Sequence, residues 1–310
     1  LVTATAALES GALDTGEVIV DDGLFELGPQ EFRNAKDAVF GPLNLSGAMK
    51  VSSDVFFYTL GNRMYDMEGQ VLQNWARRLG VGRRTGIDIP GEFPGLIPDA
   101  KWRNEGFARY QDCTKRNKVP QGTIAALNRC GGIERPYSAG DNVNLSVGQG
   151  DLQATPLQMA VAYSTLANGG KVVQPHLGKR IEDGNGRLIQ ELRFPPRKRV
   201  QIAESTRSVI LDGLRRAAME PGGTSYEVMK GFGRGRLTIY GKTGTVERIY
   251  QPDQSWYVAY VPHETRPIVV VTTIEKGGYG AETAAPAARL ILAQWFGLGE
   301  DQFRSGSSDD

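Results

Sequence analysis

The sequence predicts an α+β fold: an antiparallel sheet packed between helices, joined to a mostly helical second lobe. Three observations carry this. The strand-like runs 237–246, 255–261 and 267–275 come consecutively and late, so strands and helices do not alternate as in a doubly wound sheet. Helical periodicity dominates what precedes them and returns once afterwards, over 282–296. The run Trp256, Tyr257, Val258, Ala259, Tyr260, Val261 is apolar on both faces, as a strand covered on both sides must be.

In chain order, an Ala-rich helix over 1–9 stops at Gly11. It has no N-cap residue ahead of it, so residues are expected to precede Leu1. Helical runs over 45–51 and 55–67 flank Ser52, Ser53 and Asp54. A loop-like stretch rich in Asn, Lys and Gly carries Cys113 and Cys130. With no His nearby they cannot complete a four-ligand zinc site. They are either free thiols or a bridge, which an extracytoplasmic location would favour and which would contribute about 3 kcal/mol. Residues 155–168 read as a helix with Thr155 as N-cap, Pro156 at the first position and Gln158 completing a capping box. Met159, Ala162, Tyr163 and Leu166 recur along it at helical spacing. A second helix, Glu204–Met219, puts Val209, Ile210, Leu214 and Ala217 on one face. The polar turn 263–266 joins the last two strands as a hairpin. The closing helix carries Ala284, Ala288, Ile291, Leu292 and Trp295 as its apolar stripe, and 299–310 is a polar tail expected to be disordered.

The 310 residues hold 36 Lys plus Arg against 35 Asp plus Glu, a net charge of +1. That balance excludes a polybasic nucleic-acid coat and an acidic disordered chain, and no nucleic-acid partner is expected. No apolar run approaches the ~18 residues of a membrane helix. The basic cluster Arg193, Arg197, Lys198 and Arg199 reads as a solvated loop. With only two histidines, His176 and His263, a Ser-His-Asp mechanism has little support.

Two short motifs carry chemistry. Ser52, Ser53 and Asp54 sit between helical runs, where Ser53 or Asp54 could also simply cap the helix that follows. Lys242, Thr243, Gly244 and Thr245 lie within the strand before the hairpin. Glycine inside a strand marks close approach of another backbone. A cation and two hydroxyls along an open edge suit an extended peptide that ends in a carboxylate. Neither motif is specific alone. Their order is: serine motif first, K-T-G on a late strand, then hairpin and C-terminal helix. That is the layout of penicillin-recognising serine acyl enzymes.

With these motifs, the chain resembles the transpeptidase domain of class B penicillin-binding proteins, and within them the elongation-type, penicillin-binding protein 2-like branch. The matching stretches are VSSDVFFY from Val51, SVGQG from Ser146 with ATPLQM and LANGG, GGT from Gly222, GKTGT from Gly241 and SWYVAY from Ser255. The resemblance covers residues 1–298 as one domain. It implies a peptidoglycan D,D-transpeptidase of cell-wall synthesis and cell-shape maintenance, working through an acyl-serine and blocked by β-lactams. Members carry the nucleophile in an S-x-x-K motif just ahead of the stretch matched by LVTATAALESG, and no S-x-x-K occurs among these residues.

The resemblance implies catalytic roles for Ser52, Asp54, Lys242 and Thr245, and substrate contacts for Ser53, Thr243, Gly244 and Gln149. Asp54 stands where many relatives have Asn; an ionised Asp only accepts, so it should face cations. Some relatives bind zinc ahead of the serine motif, but 21–51 has neither His nor Cys, so no metal and no cofactor are expected. The implied partners are peptidoglycan stem peptides, β-lactams and a membrane-embedded synthesis complex. The implied place is the outer face of a bacterial cell membrane, with the anchor outside this chain. A β-lactam sensor and a non-catalytic cell-wall scaffold are the competing readings. A β-lactamase would need a group that activates a deacylating water, and no equivalent motif is recognisable in this sequence.

Overall fold

The structure, a computed structural model, describes residues 1–248 and 251–299; apart from Gly299, the tail expected to be disordered lies outside the described residues. α1 (Val2–Ser10) ends at Gly11, whose φ of 77° is a left-handed stop open to glycine. β1 (Ile19–Asp21), β2 (Leu24–Leu27), β3 (Gln30–Arg33) and β4 (Gly41–Leu43) follow, β2 with β3 as a hairpin and β4 returning to β1. α2 (Leu45–Val51) starts on Asn44, whose side chain accepts from the Gly47 N–H. α3 (Asp54–Asp66) starts on Ser53, whose hydroxyl accepts from the Phe56 N–H.

The helical lobe is built from α4 (Val71–Arg78), α5 (Ala100–Asn117), α6 (Ile124–Cys130), α7 (Ala139–Ser146) and α8 (Pro156–Ala167). α8 begins with the capping box expected of Thr155 and Gln158. Short strands β5 (Lys171–Val172), β6 (Arg180–Glu182), β7 (Leu188–Glu191) and β8 (Lys198–Arg199) come next. β6 pairs with β7 and β8 with β5, so part of the basic cluster read as loop is strand. Then come α9 (Glu204–Met219), α10 (Tyr226–Met229), β9 (Tyr240–Val246), β10 (Gln254–Val261), β11 (Ile268–Ile274) and α11 (Ala284–Phe296).

The main sheet is antiparallel in the order β11-β10-β9, with Val261 opposite Ile268 and Gln254 opposite Val246. The two-residue side-chain period divides it between two cores. Tyr257, Ala259 and Val261 join α11, while Val258 faces the core made by α1, α2, α3, α8 and α9. β9 is left as an edge among the described residues. It starts at Tyr240 and not at 237, because Leu237 packs beneath Gly233 in the turn before it.

Two further expectations are corrected. In α11 the buried stripe is Ala284, Ala285, Ala288, Leu292 and Ala293, whereas Ile291 is 47% and Trp295 43% exposed. Alanines let the helix sit close on the sheet, and bulky residues are displaced to the rim. There the Trp295 indole donates to the Arg266 carbonyl. Cys113 and Cys130 lie in helices, not a loop: Cys113 in α5 and Cys130 at the end of α6. α5 is strongly polar, and α6 is only seven residues long with Ile124 and Leu127 exposed, so periodicity did not reveal them. Their starts are set instead by Asp99 and Thr123, which accept from the N–H groups of Trp102 and Ala126. The cysteines are bridged across a separation of 17 residues. Opening that bridge in a Cys113→Ser/Cys130→Ser variant is expected to cost about 3 kcal/mol. Hydrogen exchange should then accelerate in α5 and α6 while the sheet amides stay protected.

Candidate active site

The site is assembled where α2 breaks. Ser52 ends α2 in the left-handed region (φ 59°, ψ 50°), an unusual and costly conformation for a residue other than glycine. Ser53 follows immediately as the cap of α3, so the chain has only one residue in which to turn. The turn aims the Ser52 hydroxyl at β9, where the Lys242 ammonium donates to it at 2.7 Å and to the Thr243 carbonyl at 2.9 Å.

The neighbours of Lys242 are tied down from several directions. The Thr243 hydroxyl donates to the Thr224 hydroxyl at 2.9 Å, and the Thr224 N–H donates to the Lys50 carbonyl at the end of α2. The Gln149 amide donates to the Thr245 carbonyl at 3.0 Å, and the Gly280 N–H reaches the Thr245 hydroxyl at 3.3 Å. A Cβ on Gly280 would sit 2.7 Å from the Gly244 carbonyl. The backbone that Gly244 admits is therefore, in this structure, the Gly280 loop of the protein itself.

Electrostatics follow from burial. Desolvation pulls the Lys242 ammonium from 10.5 down to about 8, opposed by the negative charge of Asp54. Desolvation raises the Asp54 carboxyl, against the pull of Lys242 and a hydrogen bond from the Ala35 main chain. The amino end of α1 is buried in the same region, beside Lys242.

Ser52, Asp54, Gln149, Thr224 and the whole Lys242 to Thr245 run line one cleft of about 750 Å³. Its mouth is crossed by Lys36, whose ammonium lies 4.7 Å from the Tyr279 ring centroid. Ser53 is the exception among the expected substrate contacts. It is fully buried, and its hydroxyl donates to Asp21 while capping α3, so it supports the cleft from behind. Sequence reasoning missed the group it serves. Buried Asp21 accepts from the Gly23 N–H at 2.9 Å and the Asn34 amide at 2.8 Å. Asn34 in turn accepts from the Val55 N–H and donates to the Ala38 carbonyl. This clasp fixes the cleft-side loop to the start of α3. Both histidines lie elsewhere: His263 accepts hydrogen bonds in the hairpin turn and His176 stacks on Phe194.

A lysine and two threonines on a sheet edge, facing a serine at a helix break inside a shared cleft, give the arrangement expected of the penicillin-binding transpeptidase fold. The chain belongs to the penicillin binding protein transpeptidase domain family, whose sequence model matches residues 1–293. It is 28% identical over 309 residues to the peptidoglycan D,D-transpeptidase MrdA of Haemophilus influenzae, covering 93% of this chain and 42% of that protein. The chain therefore spans about two fifths of the length of that curated relative. Among solved structures, a chain in a peptidoglycan synthase complex that coordinates polymerization and crosslinking is 28% identical (TM-score 0.75, 96% of this chain and 45% of that one). Pseudomonas aeruginosa PBP2 in complex with WCK 5153 shares the fold at 24% identity (TM-score 0.74, 100% of this chain and 62% of that one).

Proposed function

We propose that residues 1–298 form the D,D-transpeptidase domain of an elongation-type class B penicillin-binding protein, which crosslinks peptidoglycan stem peptides. The observation that carries this is the Lys242 ammonium on the Ser52 hydroxyl, bringing together side chains 190 residues apart in one cleft. The amino end of α1 is buried close to Lys242. A serine borne just ahead of α1, where the family carries S-x-x-K, would therefore face the same groups.

The serine attacks the carbonyl between two terminal D-Ala residues, D-Ala leaves, and an amine of a neighbouring stem takes the acyl group. Ser52 relays the proton toward the departing amine, under the field of Lys242. Lys242 and the Thr243 and Thr245 hydroxyls hold the terminal carboxylate. The Thr245 N–H supplies half of the oxyanion hole, a donor worth about 3 kcal/mol in the transition state. Asp54 offsets the cations at the back of the cleft, and Gln149 holds β9 through the Thr245 carbonyl.

No helix among the described residues is long and apolar enough to cross a membrane. On this reading the domain works on the outer face of the bacterial cell membrane, in a membrane-embedded synthesis complex; a solved neighbour belongs to a peptidoglycan synthase complex. A fluorescent penicillin is expected to label the intact parent covalently, and the Leu1–Asp310 chain alone to take no label. An intact, folded parent that stays unlabelled would remove the transpeptidase reading.

A further inference from the structure

Six basic residues outside the active site line two adjoining hollows. The last turn of α4 brings Arg77 and Arg78, the loop after it Arg83 and Arg84, and the approach to β8 Arg197 and Lys198. Two adjoining hollows of about 160 and 330 Å³ share Arg77, Arg83 and Lys198 as walls. The smaller is floored by the apolar side chains of Val161 and Val172 and by Gly80, whose φ is 100° and where a Cβ would lie 3.2 Å from Val161.

Opposite charge is scarce there. Arg77 pairs with Asp99 at 2.5 Å, but none of the other five forms an ion pair among the described residues. Arg78 rests on the Trp75 ring, the Arg197 guanidinium donates to the Arg84 carbonyl at 2.6 Å, and Lys198 reaches only the Arg77 carbonyl, at 3.4 Å. Glu92, the nearby carboxylate, is taken up by the Thr85 hydroxyl and the N–H groups of Thr85 and Gly86. Burial and then repulsion from Arg83, Arg78 and Arg197 lower the Lys198 ammonium. Like charges held this close over an apolar floor repel one another strongly. The fold gathers the six from three segments, with Asp99 on Arg77 and Glu92 near Arg84 as the carboxylates beside them.

We infer that this crater binds a phosphate-bearing anion, its planar guanidinium donors and the Lys198 ammonium converging on the phosphate oxygens. The source is either a free phosphate or the headgroup of an anionic lipid, and two arms of one experiment separate them. Wild type, Arg83→Gln/Lys198→Gln, and Arg116→Gln as a control on the far end of α5 are titrated with pyrophosphate by thermal shift. In parallel they are sedimented with phosphatidylglycerol/phosphatidylcholine vesicles.

Pyrophosphate is expected to raise the wild-type and control melting points, with a midpoint concentration about tenfold higher in the double variant, at low salt. Without phosphate the double variant is expected to melt no lower than wild type, because repulsion has been relieved. A pyrophosphate response without vesicle retention assigns a free phosphate, and retention lost in the double variant assigns the lipid headgroup. Indistinguishable behaviour of wild type and double variant in both arms overturns the inference. So does a double variant that melts several degrees lower without phosphate, since the cluster would then be structural support. Should the double variant not fold, Lys198→Gln alone, read by 31P line broadening of pyrophosphate, decides on the same criteria.

Discussion

Lys242→Ala in the intact parent is expected to slow acylation by penicillin roughly 10³-fold, the loss appropriate to removing a charged group that assists proton transfer and carboxylate binding. Stability should barely change. The ammonium is held against a desolvation cost, and its direct partners are the Ser52 hydroxyl and the Thr243 carbonyl, both at a cleft surface. The thermal midpoint of the variant checks this. The same group gives a pH signature. The proton is lost on the folded protein near pH 8, so second-order acylation should fall as pH rises through about 8. The stability linkage has the opposite sign. Between about 8 and 10.5 the unfolded chain keeps a proton that the folded one has released, so this group adds stability as pH rises. A wild-type acylation rate in Lys242→Ala would remove the residue from the site.

Asp21→Ala is expected to cost about 3 kcal/mol in urea unfolding, because it strands several buried donors at once. The Gly23 N–H, one hydrogen of the Asn34 amide and the Ser53 hydroxyl all point at this carboxylate. Asn34 keeps its bond to the Ala38 carbonyl, so the loop loosens without being released entirely. Asp21→Asn retains an acceptor and should cost distinctly less. Equal unfolding midpoints for Asp21→Ala and wild type would show that the clasp does not hold the loop.

Much of this was legible along the chain. The consecutive late strands, the two-faced apolar run of β10 and the capping box of α8 are local signals, and local signals survive folding when burial agrees with them. Seven of the eight expected site residues lie in two motifs and Gln149 came from the family resemblance; all but Ser53 line the cleft. Three kinds of feature were hidden. The Asp21, Asn34 and Ser53 clasp joins residues 13 and 32 positions apart, and nothing in their spacing announces the contact. Thr224 acquires a place only because α2 and β9 meet beside it. The polar helix α5 and the short α6, whose Ile124 and Leu127 stay exposed, are fixed by end caps and a disulfide, so the buried hydrophobic period that marks other helices is missing from them. Ile291 and Trp295 mislead for the converse reason: they are apolar, but the contact with the sheet is made by alanines that a hydrophobicity count undervalues.

The most direct test is the structure of the penicillin adduct of the intact parent. The bound carboxylate should lie against Lys242 and the hydroxyls of Thr243 and Thr245, the acyl oxygen should accept from the Thr245 N–H, and Ser52 should stand within hydrogen-bond reach of the ring nitrogen. An adduct whose carboxylate lies outside this cleft, with Lys242 still bonded to Ser52 and no contact to the drug, would contradict the assignment.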